Sequence, residues 1–271
     1  MAHAQSGSRI RLEWGPTGGS AISAGADIAV VVDVLSFTTT LSVAVSRGTT
    51  VFPFGWKDDR ARAYAHDRGA VLAVGRLEAT ELDDPPPSLS PAQLLTGRYV
   101  DRLVLPSPNG STICSALRST RESLIVVGGS LRNRAAVAAW LAPQLADGAT
   151  VAIVAAGERW LDGSLRPAVE DLWGAGAVIE ALSPSISLVD TASVEARHAA
   201  MAYSAIADRV GDELLDCASG RELVDIGFGA DVEAAAALDV DACVPVLTSD
   251  GFVAAPPVVG QVVAPMAAEQ P

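Results

Sequence analysis

The sequence predicts an α/β protein made of two similar three-layer α/β/α units with largely parallel sheets. Apolar, β-branched runs alternate along the chain with Ala- and Leu-rich stretches, which is typical of βαβ units. Hydrophobic residues make up 49% of the 271 residues and aromatic residues only 5%, which suits packing through small side chains. Residues 29–33 and 151–158 are both apolar strands that end in a carboxylate before a small-residue turn. We therefore expect an N-terminal unit over residues 1–147 and a C-terminal unit, with a helical region and a loose tail, over residues 148–271.

The elements of the first unit follow from changes in the apolar pattern. Helices should end near Gly48 and Gly69, because glycine is the usual residue just past a helix end. A Pro-rich loop at 83–91 separates two of the strands. The predicted strands are 26–34, 50–53, 71–74, 102–105 and 123–127. The predicted helices are 38–47, 58–67, 113–119 and 134–146.

The second unit begins with a strand at 151–155, and a helix at 168–182 follows. The region 192–237 reads as helical with breaks around Gly211 and near 227–229, where glycines weaken the helical pattern. A last strand is predicted at 242–247, before a loose tail from residue 254.

Charge, apolar run length and cysteine count restrict the class of protein. The 19 basic and 32 acidic residues give a net charge of −13, which repels a nucleic-acid backbone. Apolar runs are too short for a membrane span, and residues 1–8 lack the apolar core of a signal peptide. The three cysteines, Cys114, Cys217 and Cys243, fit neither a disulfide framework nor a zinc site. We expect a cytoplasmic protein that binds neither nucleic acid nor membrane; a homo-oligomer stays open.

The first candidate site lies after the strand at 26–34. Asp33 is in or at the end of this apolar strand, a costly place for a charge that has no partner or metal. Three threonines, Thr38, Thr39 and Thr40, follow at a helix start and offer hydroxyls beside free N–H groups, which suits an anion. The alternative is that a threonine caps the helix while Asp33 accepts backbone hydrogen bonds.

A second candidate is the turn formed by Asn109, Gly110, Ser111 and Thr112. An Asn-Gly pair after a strand, followed by hydroxyls at a helix start, can present consecutive N–H groups to a phosphate. An ordinary strand-to-helix turn is the alternative.

A third candidate follows the strand at 123–127. Two glycines allow close backbone approach there, and Ser130, Arg132 and Asn133 could reach an anion. The segment lacks the full G-x-G-x-x-G spacing, so it does not predict a dinucleotide site. A simple loop is the alternative.

The fourth candidate combines Glu158, at the end of a strand, with Glu170 and Asp171 in the first turn of the next helix. Three carboxylates around one strand end could hold a hard divalent cation that bridges to phosphate oxygens. Alternatively, the two first-turn acids only interact with the helix dipole.

Taken in order, these segments resemble the 2-phosphosulfolactate phosphatase family over residues 27–247. The matching segments are 32–35, 38–40, 107–112, 129–131, Asn133, 156–158, 170–172, 174–176, 219–223, 227–228, 231–232, 235–236, Asp239 and 244–246. The resemblance implies two similar α/β/α units and Mg²⁺-dependent hydrolysis of 2-phosphosulfolactate, a step toward coenzyme M. The binding partner that this resemblance implies is a small, anionic, phosphorylated substrate.

The chain also departs from the family pattern. Ser36-Phe37 stands where Arg-Ala is usual, which removes a cation suited to an oxyanion. Gly75-Arg76 stands where Gly-Glu is common, and the usual Gly-Asn-Ser-Pro is only half kept at residues 88–91.

These observations give a hypothesis for the mechanism. The catalytic residues would be Asp33, Glu158 and Asp171, and Mg²⁺ would be surrounded by Asp33, Glu158 and one or both of Glu170 and Asp171. The turn at 109–112 and the helix start at 38–40 would hold the phosphoryl oxygens.

Three points stay open on the sequence. Arg132 or Arg221 could replace the missing cation, and the nucleophile is either a metal-activated water or Asp33. The family fold could also serve as a catalytically silent module that binds or senses a small anion. An unrelated nucleotide-binding enzyme on a Rossmann-like sheet is a further, weaker alternative.

Overall fold

The computed structural model describes residues 2–55 and 59–256. Its strands are β1 Ile10–Trp14, β2 Ile28–Val32, β3 Thr50–Phe54, β4 Val71–Leu72, β5 Arg102–Pro106, β6 Ile125–Gly129, β7 Val151–Ala155, β8 Glu158–Arg159, β9 Leu165–Arg166, β10 Pro245–Thr248 and β11 Gly251–Ala254.

The α-helices connect these strands and cover the sheet. They are α1 Gly15–Ser23, α2 Phe37–Ser46, α3 Asp59–Asp67, α4 Arg76–Thr80, α5 Pro91–Thr96, α6 Gly110–Thr120, α7 Arg134–Ala146, α8 Val169–Ala181, α9 Leu188–Thr191, α10 Val194–Ser204, α11 Val210–Asp216, α12 Ala218–Asp225 and α13 Gly229–Ala236. Short 3₁₀ helices are formed by Ala2–Ala4, Leu131–Asn133 and Ala207–Arg209. Across the described ranges, every helix is too short or too polar to cross a membrane.

Nine strands form one sheet in the order β1-β7-β2-β6-β10-β11-β3-β5-β4, and β8 and β9 form a separate hairpin. The strands β1, β7, β2 and β6 are parallel to one another, as are β3, β5 and β4. The antiparallel hairpin of β10 and β11 joins the two parallel groups. Val32 at the end of β2 pairs with Ala155 of β7 on one side and Gly129 of β6 on the other. The chain segments that follow these three strands therefore start side by side.

Strand β2 lies in the middle of the core because it is apolar on both faces. Ile28, Val30 and Val32 pack into one buried cluster with side chains of α7, α8 and α10. Ala29 and Val31 pack into a second cluster with side chains of α1, α2 and α6. An all-apolar strand buried on both faces is the pattern of a parallel sheet between two helix layers. The predicted α/β class, with a three-layer arrangement and a largely parallel sheet, is confirmed.

Helix α8 lies unusually close to its neighbours because it carries glycines at the contact points. A Cβ atom on Gly174 would lie 2.5 Å from Val34 Cγ2, and one on Gly176 would lie 2.0 Å from the carbonyl oxygen of Ala199. Both distances are shorter than van der Waals contact, so a larger residue would push the helix outward. The close approach holds the first turn of α8, with its two acidic residues, next to the end of β2.

Most predicted elements are confirmed within a few residues, and β7 and α7 have the predicted bounds. The elements that were not predicted are β1, β8, β9, β11, α1, α4, α5 and α9. Charged Arg11 and Glu13 interrupt the apolar pattern of β1, and the glycine-rich α1 has low intrinsic helix propensity. The predicted break at Gly211 is wrong in position, because that residue lies inside α11 and the chain leaves the helix before it, after Ser204.

The division of the chain near residue 147 stays a prediction. Strand β7, which follows that position, lies between β1 and β2 in the same sheet. The tail is predicted to be loose from residue 254 onward. In the structure, residue 254 is the last residue of β11, and 257–271 lie outside the described residues.

Candidate active site

Asp33 follows β2 directly and its carboxylate is buried, with 5% exposure. Oδ1 accepts a hydrogen bond from the backbone N–H of Phe37 at 3.1 Å, and Oδ2 accepts one from Gly110 at 2.8 Å. These donors are the first residues of α2 and α6, whose N–H groups have no acceptor inside their own helices. The carboxylate thus lies where two helix N-termini meet, which favours its charged form.

Gly110 can take this position because it has no side chain. A Cβ atom there would lie 2.7 Å from Asp33 Oδ2 and 2.3 Å from Phe37 Cδ1. The backbone of the Asn-Gly turn therefore binds the protein's own Asp33 carboxylate in this arrangement. Its predicted role in binding phosphate stays a prediction.

Asp171, in the first turn of α8, is buried with 3% exposure. Its Oδ1 accepts from the backbone N–H of Val34 at 2.7 Å, and its Oδ2 accepts from Gly157 at 2.8 Å. Val34 follows β2 and Gly157 follows β7, so this carboxylate joins the ends of two neighbouring strands. Residues that were separate motifs in the sequence meet here.

Two further carboxylates complete the group. Glu158 is half-buried, and its Oε2 accepts a hydrogen bond from Asn109 Nδ2 at 2.9 Å. Glu170 is buried, with 2% exposure. We call Asp33, Glu158, Glu170 and Asp171 the carboxylate cluster.

The pKa values of Asp33, Glu158 and Asp171 are all raised. Burial raises the pKa of Asp33 from 3.8 to about 7, and the charges of Glu158 and Glu170 act in the same direction. Burial also raises the pKa of Asp171, with contributions from Asp33 and Glu170. For Glu158 burial again dominates and raises the pKa, against the hydrogen bond from Asn109 and the charge of Arg166. The cluster thus carries excess negative charge, which a proton or a cation would relieve.

The donor set fits a hard divalent cation in its chemistry, because buried carboxylate oxygens are the ligands such ions prefer. In residues 2–55 and 59–256, no group of three or more His, Cys, Asp or Glu side chains is arranged to hold a metal. Asp33 and Asp171 each use both oxygens for backbone N–H groups. An ionised carboxylate has further lone pairs, so these hydrogen bonds do not use up its oxygens as possible metal ligands.

The threonines of α2 are fully buried. Their hydroxyls donate to backbone carbonyls: Thr38 to Asp33 at 2.8 Å, Thr39 to Val34 at 2.7 Å and Thr40 to Leu89 at 3.0 Å. The structure therefore does not bring these hydroxyls to a surface that a substrate reaches. Thr38 and Thr39 fix the loop after β2 to the start of α2, and Thr40 fixes α2 to the segment that contains Leu89.

The candidates after β6 form a different group. Arg132 donates to Asp241 through Nε at 2.8 Å and Nη2 at 3.1 Å, and its Nη1 donates to the Ala234 carbonyl at 2.7 Å. Ser130 and Asn133 are fully buried and bond to each other in a capping box. We call Arg132 and Asp241 the arginine pair. It satisfies its own charges and leaves no guanidinium nitrogen without an acceptor.

The other predicted substrate-binding residues are also held by the protein. Ser111 donates to the Leu105 carbonyl at 2.8 Å, and Thr112 donates to the Gly55 carbonyl at 2.8 Å. Arg221 lies on the exposed side of α12, where it contacts Asp216 at 3.3 Å. Among these residues, Asn109 and Gly110 contact the carboxylate cluster directly.

A cavity of about 500 Å³ opens beside Glu158. Its lining is Leu35, Ala73, Val74, Gly75, Arg76, Leu77, Glu78, Leu89, Pro106, Ser107, Pro108, Glu158, Ser219, Glu222, Leu223 and Ile226. Arg76 donates to Ser36 Oγ and to Asp231, each at 2.6 Å. Arg132 and Arg221 are the cations that the sequence suggests in place of the missing arginine, and Arg76, which lines this cavity, is not among them. The sequence does contain a sign of this contact, because Arg76 and Ser36 both stand where the family pattern has a different residue.

Comparisons with known proteins give the same family as the resemblance in the sequence. A family model described as 2-phosphosulpholactate phosphatase matches residues 20–250. A probable 2-phosphosulfolactate phosphatase of Parasynechococcus marenigrum is 31% identical over 86% of this chain and 93% of its own length. One from Deinococcus radiodurans is 27% identical over 82% and 88%. One from Microcystis aeruginosa is 33% identical over 58% of this chain, and the match spans 62% of that relative.

Proposed function

This chain belongs to the 2-phosphosulpholactate phosphatase family, and on that basis we propose that it is a Mg²⁺-dependent phosphomonoester hydrolase. Its substrate would be a small 2-phospho carboxylic acid, 2-phosphosulfolactate or a related ester, and its products the hydroxy acid and phosphate. The observation that carries the proposal is the carboxylate cluster, whose excess negative charge borders a cavity large enough for such a molecule.

Asp33, Glu158, Glu170 and Asp171 are the residues that would hold the metal. When bound, Mg²⁺ would neutralise charge on the phosphoryl group and orient it for attack. The raised pKa values of Asp33 and Asp171 support this role, since a cation would stabilise the charged carboxylates that burial disfavours.

Glu158 is the member best placed to act on the substrate. It lines the cavity, it is only half-buried, and burial raises its pKa. We propose that its carboxylate accepts the proton of the attacking water, as a general base. Asn109 fixes the orientation of that carboxylate through a hydrogen bond of 2.9 Å.

Attack by water is favoured over attack by Asp33. Both oxygens of Asp33 already accept backbone hydrogen bonds, and the side chain is 5% exposed. A nucleophile must reach phosphorus in line with the leaving oxygen, and the buried Asp33 carboxylate does not line the cavity. Asp33 would instead supply negative charge and help to hold the cation.

The test is phosphate release from a panel of 2-phospho carboxylic acids, including 2-phosphosulfolactate, with Mg²⁺ and with a chelator. We expect release that depends on Mg²⁺ and falls by about 100-fold or more in Glu158→Gln, the usual cost of removing a general base. A folded protein that releases no phosphate from any member would overturn the proposal.

The second candidate function is a catalytically silent module that binds a small anion. One observation favours it: Asp33 and Asp171 are fully bonded to the backbone, without a ready-made metal site in the described residues. The same panel separates the two functions, because a silent module would bind the hydroxy acid product in a calorimeter and release no phosphate.

A further inference from the structure

Arg76 has a distinct place in the cavity beside Glu158. Of the described residues that line the cavity, it is the single basic one, and Glu78, Glu158 and Glu222 are acidic. Much of the remaining wall is apolar, with Leu35, Leu77, Leu223 and Ile226 among its members. A cation beside an apolar wall attracts an anion more strongly than it does in open water, because the local dielectric constant is lower.

The guanidinium of Arg76 is held in place from three directions. Nε donates to Asp231 Oδ2 at 2.6 Å, and Nη2 donates to Ser36 Oγ at 2.6 Å. Its Cζ lies 6.0 Å from the centre of the Phe228 ring. Asp231 is itself fixed, because it is 1% exposed and accepts hydrogen bonds from Ser90 and from the backbone of residue 92. The cation is therefore pre-oriented, which lowers the entropic cost of binding a ligand.

These bonds leave part of the guanidinium available. An arginine has five N–H donors, and the bonds to Asp231 and Ser36 use one on Nε and one on Nη2. Within residues 2–55 and 59–256, no acceptor is bonded to Nη1. The Arg132 guanidinium differs, because each of its three nitrogens has an acceptor. A planar pair of donors on Nη1 and Nη2 matches a carboxylate or sulfonate.

We propose that Arg76 is a specificity-determining residue, which binds the anionic group of the substrate that is not hydrolysed, a carboxylate or a sulfonate. The inference rests on the proposed function and deepens it. The phosphoryl group would face Glu158 on one side of the cavity, and the second anionic group would face Arg76. Asp231 and Ser36 are positioning residues for this cation.

The kinetic test compares two substrates in the presence of Mg²⁺: 2-phospholactate, which carries a carboxylate, and phenyl phosphate, which has no second anionic group. In Arg76→Gln we expect KM for 2-phospholactate to rise about 30-fold, the loss of one charged hydrogen-bonded contact, and KM for phenyl phosphate to stay within about 2-fold. Arg76→Lys keeps the positive charge but loses the planar pair of N–H donors, so its KM for 2-phospholactate should lie between those of the wild type and Arg76→Gln. Arg209→Gln, on the exposed Arg209–Glu213 pair, is the matched control and should match wild type.

A binding measurement keeps this inference separable from the phosphatase proposal. Sulfolactate carries no phosphate, and its binding is measured by calorimetric titration. We expect its Kd to rise by about 10-fold or more in Arg76→Gln and to stay unchanged in Arg209→Gln. If the wild type hydrolyses nothing but this difference remains, the phosphatase proposal fails and the role of Arg76 stands. The proposed role of Arg76 is overturned if KM rises equally for 2-phospholactate and phenyl phosphate in Arg76→Gln. It is also overturned if the wild type does not bind sulfolactate, or if Arg76→Gln binds sulfolactate as tightly as the wild type. If Arg76→Gln does not fold, the same comparison is made with Arg76→Lys.

Discussion

The carboxylate cluster and the arginine pair are two buried polar groups that follow neighbouring strands, and they differ in charge balance. In the arginine pair, the guanidinium of Arg132 is matched by Asp241 and by a backbone carbonyl. In the carboxylate cluster, burial and repulsion between neighbouring acidic groups raise the pKa values of Asp33 and Asp171. A balanced buried pair is complete without a ligand, whereas an unbalanced group has its charge relieved when a cation binds. Charge balance therefore separates the arginine pair from the group that we propose to be functional.

Asp33→Asn is the variant with the largest expected effect. It removes a charge that the proposed metal site needs, so kcat should fall about 1,000-fold or more. The amide still accepts one of the two backbone hydrogen bonds, so the free energy of unfolding should change by less than about 2 kcal/mol. Phosphate release and urea unfolding measure the two effects. Turnover close to wild type in this variant would contradict the assignment of Asp33.

Arg132→Met should have the reverse profile. It leaves Asp241 as a buried, unpaired charge, which costs about 3–5 kcal/mol of stability. The double variant Arg132→Met with Asp241→Leu should recover most of that loss, because no unpaired charge remains. Urea unfolding of the two variants and the wild type measures the coupling. If Arg132→Met were as stable as wild type but had a raised KM, the arginine would belong to the substrate site after all.

The pH dependence of stability should distinguish the two groups next. The pKa of Asp33 is raised from 3.8 to about 7 in the folded protein, so between these values the folded state keeps a proton that the unfolded chain releases. The free energy of unfolding of the metal-free protein should therefore fall as the pH rises through this range. Asp33→Asn should weaken that dependence, and the double variant Arg132→Met with Asp241→Leu, which leaves no buried unpaired carboxylate, should not change it.

Mg²⁺ provides the control for this dependence. It should raise Tm near about pH 8, where the carboxylates are charged, and have little effect near about pH 5, where Asp33 is protonated. Thermal unfolding with Mg²⁺ and with chelator at both pH values is the measurement. An equal effect of Mg²⁺ at both values would show that the ion binds elsewhere.

Thr39→Val is expected to have the smallest effect. The hydroxyl of Thr39 is buried and donates to the Val34 carbonyl at 2.7 Å, so its loss should cost about 1 kcal/mol. Because the side chain lies away from the cavity, KM should not change. A large rise in KM without a loss of stability would restore the phosphate-binding role that the sequence predicts for this residue.

The sequence predicts the central strands well and singles out the acidic residues that form the cluster, because both leave a local pattern. A run such as β2, which is entirely apolar and ends in Asp33, predicts a buried strand with an unusual terminal charge. Acidic residues after β7 and in the first turn of α8 give the other members of the cluster. These signals depend on residue type and spacing, which the printed chain contains.

The partners of polar side chains are not predicted in the same way. Arg132 and Thr39 have residue types suited to an anion site, but tertiary contacts give them protein acceptors. Arg76 meets Ser36 and Asp231 across large separations in sequence, and no local pattern encodes such a meeting. Arg11 shows the same limit, because its buried guanidinium donates to the Ile22 carbonyl while its charge hides strand β1 from the apolar pattern.

The position of β7 between β1 and β2 has a consequence for synthesis on the ribosome. Both of these strands are translated more than 100 residues before the strand that pairs with them. Until β7 emerges, the nascent chain presents the hydrogen-bonding edge of the all-apolar β2 to its surroundings, and such edges promote aggregation. A gene divided near residue 147 would yield two polypeptides that each lack part of one sheet, so their solubility should depend on co-expression.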